Sequence, residues 1–214
     1  MVKYVLFDLD GTLTDPKEGI TKCVQHALKY FGIERDGDEL ISFIGPPLKE
    51  HFMEYASLTE EEGIKAVEVY RERFAPIGLF ENRIYDGIIP MLEQLKKHGK
   101  ILVLATSKPA VFAEKIVEKY GIKPFLSHLE GSELDGRNTD KALVIKNAME
   151  KVGASAENTV MVGDRIHDCD GAEKNSIPCI GVSYGYGGTE ELEKGNAIAI
   201  AHSPGELLKI LSAM

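Results

Sequence analysis

Short uninterrupted runs of apolar residues alternate along most of the chain with segments in which apolar residues recur every three or four positions. The first pattern predicts strands that are buried on both faces, and the second predicts amphipathic helices that cover them. The predicted strands cover residues 4–7, 101–105, 126–130, 159–162 and 179–182. Alternating strands and helices favour right-handed crossovers and a parallel, doubly wound sheet. We therefore expect an α/β fold.

One stretch between the first predicted strand and the others contains helical patterns alone. Its first predicted helix has one apolar face, formed by Ile20, Val24, Ala27, Leu28 and Phe31. A further helix is predicted from Thr59 to about residue 74, because glutamates in its first turn complement the helix dipole. Its inward residues are expected to be Ile64, Val67 and Phe74. The pattern predicts an all-helical insert, residues 16–82, within a core formed by residues 1–15 and 83–214.

The composition is that of an ordinary globular protein, with 43% hydrophobic and 28% charged residues among 214 and a formal net charge of −9. This charge offers no basic footprint to a nucleic-acid polymer or to a membrane surface. Three widely spaced cysteines without a C-x-x-C pair indicate a reducing compartment, and no apolar run has transmembrane length. We expect a cytoplasmic protein without a signal peptide, a monomer or weak dimer, whose partner is a small substrate.

Polar residues follow several predicted strands at the point where each strand ends. Asp8-Leu9-Asp10-Gly11-Thr12 follows the first strand, Thr106-Ser107-Lys108 the second and Gly163-Asp164-Arg165-Ile166-His167-Asp168 the fourth, while Lys141 begins a helix. The carboxyl ends of parallel strands lie at one sheet edge, where ligands bind, so we expect these segments to converge. Two acids one residue apart are difficult to bury without a cation or a proton. The segments therefore predict metal-assisted chemistry.

These residue types suit the hydrolysis of a phosphate monoester, whose transition state spreads negative charge over three oxygens. Asp8 is the predicted nucleophile, and Mg²⁺ would remove its repulsion from the dianionic substrate. The predicted metal ligands are Asp8, the backbone carbonyl of Asp10 and Asp164. Asp168 is expected to bind the ion through water or to orient the other ligands.

The remaining polar groups are assigned to the phosphate and to proton transfer. Predicted phosphate donors are the hydroxyl of Thr106, the ammonium of Lys141 and the N–H groups of Leu9, Asp10 and Ser107. Asp10 is the predicted general acid for the leaving alkoxide, and then the general base for the water that attacks the aspartyl-phosphate. This role requires a raised pKa of Asp10, which burial and a nearby carboxylate would produce.

These segments, in this order and over essentially the whole chain, resemble the signature of the haloacid dehalogenase-like hydrolases, and the helical insert resembles their C1-type cap. The resemblance implies a Rossmann-like core with strand order 5-4-1-2-3, a Mg²⁺ cofactor and a phospho-aspartate intermediate. It also implies the roles given above: Asp8 as nucleophile, Asp10 as general acid and base, Thr106 and Lys141 as phosphate-binding residues, and Asp164 and Asp168 as metal-binding acids.

Several further strings are similar to the 5′-nucleotidase and phosphoglycolate phosphatase-like branch of this superfamily. They are Phe43-Ile44-Gly45-Pro46-Pro47-Leu48, Phe80-Glu81-Asn82, Ala105-Thr106-Ser107-Lys108-Pro109, Gly131-Ser132-Glu133-Leu134-Asp135-Gly136 and Tyr184-Gly185-Tyr186-Gly187. Two departures from the pattern are Ala142, where many relatives carry proline, and Gly136-Arg137-Asn138-Thr139, which leaves the role of Arg137 open.

Substrate choice is expected to reside in the cap, with Gly45, Pro46, Pro47 and Lys49 as the candidate specificity residues. Gly-Pro-Pro also suits a rigid turn between helices, and Lys49 also suits a solvated surface. A small phosphorylated metabolite is expected, such as a nucleoside 5′-monophosphate or phosphoglycolate. The residues do not separate these from a sugar phosphate.

Three alternatives use similar residues. A phosphomutase of the β-phosphoglucomutase type would have the same core but would return the phosphoryl group to a sugar. A receiver-like signalling module also phosphorylates an aspartate on a doubly wound sheet, but it needs neither a helical cap nor Asp10. A dehalogenase needs neither the magnesium-binding acids nor a proton donor at position 10.

Overall fold

The computed structural model describes all of residues 1–214, which form two compact units. The core unit comprises Met1–Asp15 and Ile84–Met214, and the helical unit comprises Pro16–Arg83. None of the helices combines the length and the apolar character needed to span a bilayer.

The strands, in chain order, are β1 (Tyr4–Phe7), β2 (Thr14–Asp15), β3 (Arg83–Ile84), β4 (Ile101–Pro109), β5 (Leu126–Ser132), β6 (Thr159–Gly163), β7 (Cys179–Val182) and β8 (Ala199–Ala201). The α-helices are α1 (Lys17–Tyr30), α2 (Leu48–Ala56), α3 (Glu60–Phe74), α4 (Ile88–Lys97), α5 (Ala110–Lys119), α6 (Lys141–Val152), α7 (Ile166–Lys174), α8 (Gly188–Lys194) and α9 (Pro204–Ala213). Short 3₁₀ helices cover Gly37–Phe43, Gly78–Phe80, Lys123–Phe125 and Ala156–Asn158.

The core unit is built on a six-stranded parallel sheet of order β5-β4-β1-β6-β7-β8. Strand β1 lies inside the sheet and is buried along its whole length, as its uninterrupted apolar run predicts. Its last residue, Phe7, pairs with Leu104 of β4 on one side and with Val162 of β6 on the other. This register brings the ends of β1 and β6 together at one edge, beside the last residues of β4. The predicted α/β doubly wound class is confirmed.

The five predicted strands stand in the order 5-4-1-2-3 when they are counted along the chain, and β8 adds a sixth strand at one edge. The sequence pattern did not predict β8, because three residues are too few to show an apolar run. Strand β4 also continues to Pro109, past the predicted end at residue 105.

The helical unit contains α1, α2 and α3. Helix α3 begins with a capping box, in which Glu62 N–H donates to Thr59 Oγ1 and Thr59 N–H donates to Glu62 Oε2. The predicted inward face of α3 is wrong at Ile64, which is exposed, while Gly63 is buried. A Cβ on Gly63 would lie 2.6 Å from Met53 Cγ, so close packing against α2 turns the glycine side of the helix inward.

Candidate active site

Three buried acids meet at the carboxyl edge of the core sheet. Asp8 directly follows β1, Asp164 directly follows β6, and Asp168 lies in the first turn of α7. Each is less than one-tenth exposed, and one carboxylate oxygen of each lies within 4.8 Å of the others. We name these three residues the acid cluster. Their convergence follows from the sheet register, because β1 and β6 are hydrogen-bonded neighbours.

Glycines allow the acids to lie against the backbone. Gly11 has a positive φ of 82°, and a Cβ at this position would lie 2.1 Å from Asp164 Oδ2. A Cβ on Gly163 would lie 2.1 Å from Asp168 Cγ. Both distances are far inside van der Waals contact, so only glycine fits either position. Each glycine therefore helps to place an acid of the cluster.

Lys141 supplies positive charge to the acid cluster. It begins α6, whose first turn is capped by Asp140 Oδ1 accepting from Leu143 N–H. Its Nζ lies 2.6 Å from Asp8 Oδ1, 2.7 Å from Asp168 Oδ1 and 3.2 Å from the carbonyl oxygen of Ala105. Burial alone would lower the pKa of Lys141, but the carboxylates of Asp168 and Asp8 outweigh it and raise the pKa. Lys141 is therefore positively charged at neutral pH.

One ammonium group does not balance three carboxylates. Burial, followed by the charges of Asp168 and Asp8, raises the pKa of Asp164 well above its ordinary value. Burial also raises the pKa of Asp168, although Lys141 opposes the shift. Asp164 Oδ2 accepts from Tyr186 N–H at 2.8 Å, whereas its Oδ1 is buried without a hydrogen-bond partner. A set of carboxylate oxygens with an unpartnered buried member fits Mg²⁺, which prefers oxygen ligands.

Asp10 contacts Lys108, a residue for which the sequence predicts no role. Lys108 Nζ, at the end of β4, lies 2.6 Å from Asp10 Oδ2, and both side chains are largely buried. Asp10 Oδ1 is buried without a hydrogen-bond partner. Burial raises the pKa of Asp10; Lys108 opposes this rise and Asp8 adds to it. The signal for Lys108 was its position in the polar segment that follows the predicted strand at residues 101–105.

The predicted phosphate donors lie at the same edge. Thr106 is buried in β4, and its Oγ1 accepts from Lys108 N–H at 3.3 Å. The carbonyl of Ser107 accepts from Ser132 Oγ at 2.7 Å, which fixes the strand end. Leu9 is buried, and its carbonyl accepts from Leu13 N–H at 2.9 Å, which closes the turn after β1. The phosphate-binding roles of Leu9, Thr106, Ser107 and Lys141 and the carbonyl role of Asp10 stay predictions.

The candidate specificity residues lie in the helical unit. Gly45, at a φ of 108°, and Pro46 and Pro47 precede α2, and Pro47 occupies its N-cap position. Lys49 Nζ lies 3.2 Å from Glu60 Oε1, an exposed acid of the same unit. Arg137, whose role the sequence left open, is exposed, and its Nε lies 2.7 Å from Asp135 Oδ2.

Sequence reasoning missed Glu191, which supports the loop between Asp164 and Asp168. Glu191 Oε1, on α8, accepts from Arg165 Nε at 2.8 Å and from Ile166 N–H at 2.9 Å. The second bond satisfies a backbone donor at the start of α7. A lone glutamate on a short helix carries no sequence signal for this role.

Three buried acids and a lysine lie at the carboxyl edge of a parallel sheet, where ligands bind, and offer the groups that phosphoryl transfer requires. Residues 5–182 match the family described as Haloacid dehalogenase-like hydrolase, and the chain belongs to this family. The predicted resemblance is thereby confirmed. The protein is a phosphoric monoester hydrolase, as predicted.

Several similar proteins are named for reactions of phosphate groups. A 5′-nucleotidase of Pseudomonas aeruginosa is 46% identical over 98% of this chain and 92% of its own length. The tyrosine-protein kinase PtkA of Mycobacterium tuberculosis is 35% identical over 94% of this chain and 69% of its own length. A phosphoglycolate phosphatase of Vibrio parahaemolyticus is 26% identical over 99% of this chain and 96% of its own length. The crystal structure of a predicted phosphatase from Clostridium acetobutylicum has a TM-score of 0.97, with 46% identity and full coverage of both chains.

Proposed function

We propose that the protein is a Mg²⁺-dependent phosphatase of a small metabolite and that Asp8 carries the phosphoryl group during turnover. The observation that carries the proposal is Asp8 itself: a buried carboxylate fixed through Oδ1 by Lys141 beside two further acids. A nucleophile held in this way needs no reorganisation before attack. Asp8, Asp164 and Asp168 would hold Mg²⁺, which supplies positive charge against the dianionic phosphate.

The first half of the reaction transfers the phosphoryl group to Asp8. A carboxylate oxygen of Asp8 forms a bond to phosphorus, and the bond between phosphorus and the leaving oxygen breaks. Asp10 gives its proton to the leaving alkoxide. Lys141, Thr106 and the N–H groups of Leu9 and Ser107 neutralise the equatorial oxygens.

The second half releases inorganic phosphate. Asp10, now a carboxylate next to Lys108, accepts a proton from water while the water oxygen bonds to phosphorus. The bond between phosphorus and Asp8 breaks, and both residues return to their starting state. A receiver-like module would stop after the first half, because it has no need of an acid at position 10.

A nucleoside 5′-monophosphate is the proposed substrate class, because the 5′-nucleotidase relative is similar over nearly the whole of both chains. Phosphoglycolate is the second candidate, supported by a more distant relative. Gly45, Pro46, Pro47 and Lys49 remain the proposed specificity residues.

The test is phosphate release from nucleoside monophosphates, phosphoglycolate and sugar phosphates, with Mg²⁺ and with EDTA. Asp8→Asn is expected to lower kcat by a factor of about 10⁴ or more, because an amide does not attack phosphorus. Asp170→Asn is the matched control, since Asp170 is an exposed aspartate on α7. Near-normal activity of Asp8→Asn would refute the proposal that Asp8 is the nucleophile.

The products separate the alternatives. A phosphomutase would yield an isomeric sugar phosphate instead of inorganic phosphate. A long-lived phosphoaspartate without turnover would favour a signalling module. Transfer from ATP to a tyrosine, the reaction named for one relative, would contradict hydrolysis as the main activity.

A further inference from the structure

A loop between β7 and α8 lies against Asp164. It has the sequence Tyr184-Gly185-Tyr186-Gly187, and none of the roles proposed above uses it. Tyr186 N–H donates to Asp164 Oδ2 at 2.8 Å. Tyr184 Oη donates to the carbonyl of Thr12 at 3.1 Å, in the turn after β1. The loop therefore connects the turn after β1 with an acid that follows β6.

The two glycines bring the loop backbone against Asp164. A Cβ on Gly185 would lie 2.4 Å from Asp164 Cβ and 2.4 Å from the carbonyl oxygen of Gly11. A Cβ on Gly187 would lie 2.2 Å from the carbonyl oxygen of Asp164. Contacts this close leave no room for side chains, so the position of Asp164 depends on the path of this backbone.

The Tyr186 hydroxyl fixes that path. It donates a hydrogen bond to Oδ1 of Asp15, a buried acid of β2. A carboxylate oxygen can only accept a hydrogen bond, so the Tyr186 hydroxyl is the donor. One residue thus holds Asp15 with its side chain and Asp164 with its backbone N–H.

The orientation of Asp164 matters because its two oxygens differ. Oδ2 is engaged by Tyr186 N–H, and Oδ1 is buried without a hydrogen-bond partner. A hydrogen bond to one oxygen of a metal-binding carboxylate fixes the direction of the other. Loss of the hydrogen bond between Tyr186 and Asp15 would allow the loop to move. The Tyr186 N–H group, which sets the direction of Asp164 Oδ1, would move with it.

We propose that Tyr186 and Asp15 are positioning residues for Asp164, with their side-chain hydrogen bond holding loop 184–187 where Asp164 is oriented for a divalent cation. The inference rests on the proposed metal site. In the Tyr-Gly-Tyr-Gly string, the two glycines allow the backbone to approach Asp164 closely. The Tyr186 hydroxyl binds Asp15, and Tyr184 contacts the turn after β1.

The experiment is calorimetric titration of Mg²⁺ into wild type, Tyr186→Phe, Asp15→Ala and the double variant. Each single variant is expected to bind Mg²⁺ about tenfold more weakly, the usual effect of removing a group that orients a metal ligand. The double variant is expected to bind no more weakly than either single variant, because both remove the same contact. Asp15→Asn keeps a hydrogen-bond acceptor and is expected to recover most of the affinity.

Two readouts separate positioning from general loss of structure. Thermal unfolding in EDTA shows whether each variant is folded, and Tyr120→Phe, at the end of α5, controls for loss of a tyrosine hydroxyl elsewhere in the core unit. In steady-state assays the Mg²⁺ concentration for half-maximal activity is expected to rise about tenfold. The KM for substrate at saturating Mg²⁺ is expected to change by less than about twofold.

The outcomes for the two proposals differ. Absence of Mg²⁺ binding by wild type would overturn the proposed metal site and this inference together. Normal binding by wild type with equally tight binding by Tyr186→Phe and Asp15→Ala would overturn the positioning role alone. Additive losses in the double variant would show that the two residues act separately, which also contradicts the inference.

Discussion

Replacement of Asp164 by asparagine is expected to stabilise the metal-free protein while it removes Mg²⁺ binding. Asparagine has nearly the same shape as aspartate, and its carbonyl can still accept from Tyr186 N–H. Its amide group would replace the buried oxygen that has no partner. The substitution therefore removes a charge from the acid cluster and supplies a donor to the remaining carboxylates.

The magnitude follows from the geometry. Two unit charges separated by 4.8 Å repel by about 3.5 kcal/mol at an effective dielectric constant of about 20. Asp164 has two such neighbours, Asp8 and Asp168, and the ammonium of Lys141 offsets roughly one of them. Protonation and local relaxation reduce the remainder, so we expect a gain of about 2 kcal/mol in the free energy of unfolding. This gain corresponds to an increase in Tm of about 4–8 °C for a chain of this size.

The gain has a defined pH dependence. The pKa of Asp164 is raised in the folded state. Its carboxyl group therefore destabilises the folded state when the pH is above the unfolded-state pKa of about 3.9, and it has no such effect below that pH. The advantage of Asp164→Asn should therefore grow by up to about 1.4 kcal/mol per pH unit from about pH 4 until the folded-state pKa is reached.

The assay is thermal and urea unfolding in EDTA from pH 5 to pH 8. Asp170→Asn removes an exposed charge from α7 and is expected to change the free energy of unfolding by less than about 0.5 kcal/mol. An Asp164→Asn variant less stable than wild type at neutral pH in EDTA would refute the claim that the acid cluster is overcharged without a cation.

Three further predictions concern the same edge of the sheet. Mg²⁺ at one hundred times its Kd is expected to stabilise wild type by about 2.7 kcal/mol and to raise its Tm by about 5–11 °C. The same Mg²⁺ concentration is expected to leave the Tm of Asp164→Asn unchanged. Lys108→Met is expected to raise the pKa of Asp10 and so to make it a weaker acid for the leaving alkoxide, so that the first step slows, kcat falls about 10–100-fold and the acid-quenched phosphoenzyme decreases. An unchanged phosphoenzyme level would contradict this. Gly11→Ala is expected to lose Mg²⁺ binding and several kcal/mol in the free energy of unfolding. Gly99→Ala is the control, because Gly99 also has a positive φ but lies in open space, and its free energy of unfolding in urea should fall by only about 1–2 kcal/mol. Equal losses of stability in the two variants would refute the role of close approach.

The sequence predicted those parts of the site that follow from strand geometry. An apolar run such as residues 4–7 is buried on both faces, so it lies inside a parallel sheet, and whatever follows it stands at the ligand-binding edge. This reasoning predicted that Asp8, Asp164 and Thr106 would lie at one edge, and the structure places them there. Lys141 was predicted with them from the resemblance and from its place at a helix start.

The parts that were not predicted depend on the path of loops. The contacts of Lys108 with Asp10 and of Tyr186 with Asp164 require the backbone conformation of residues that no periodic pattern describes. The prediction that Ile64 faces inward was wrong, because the contact of a glycine with α2, rather than side-chain hydropathy, sets the rotation of α3. Strand β8 is too short to produce a signal of its own.

The most direct test of the proposed function is to find the phosphoryl group on Asp8. The protein is mixed with a nucleoside monophosphate and Mg²⁺, quenched in acid within one turnover, digested and examined by mass spectrometry. We expect one phosphoryl group on the peptide that contains Asp8, absent in EDTA and absent in Asp8→Asn. Rapid turnover of the substrate with this peptide unmodified at every quench time would contradict it.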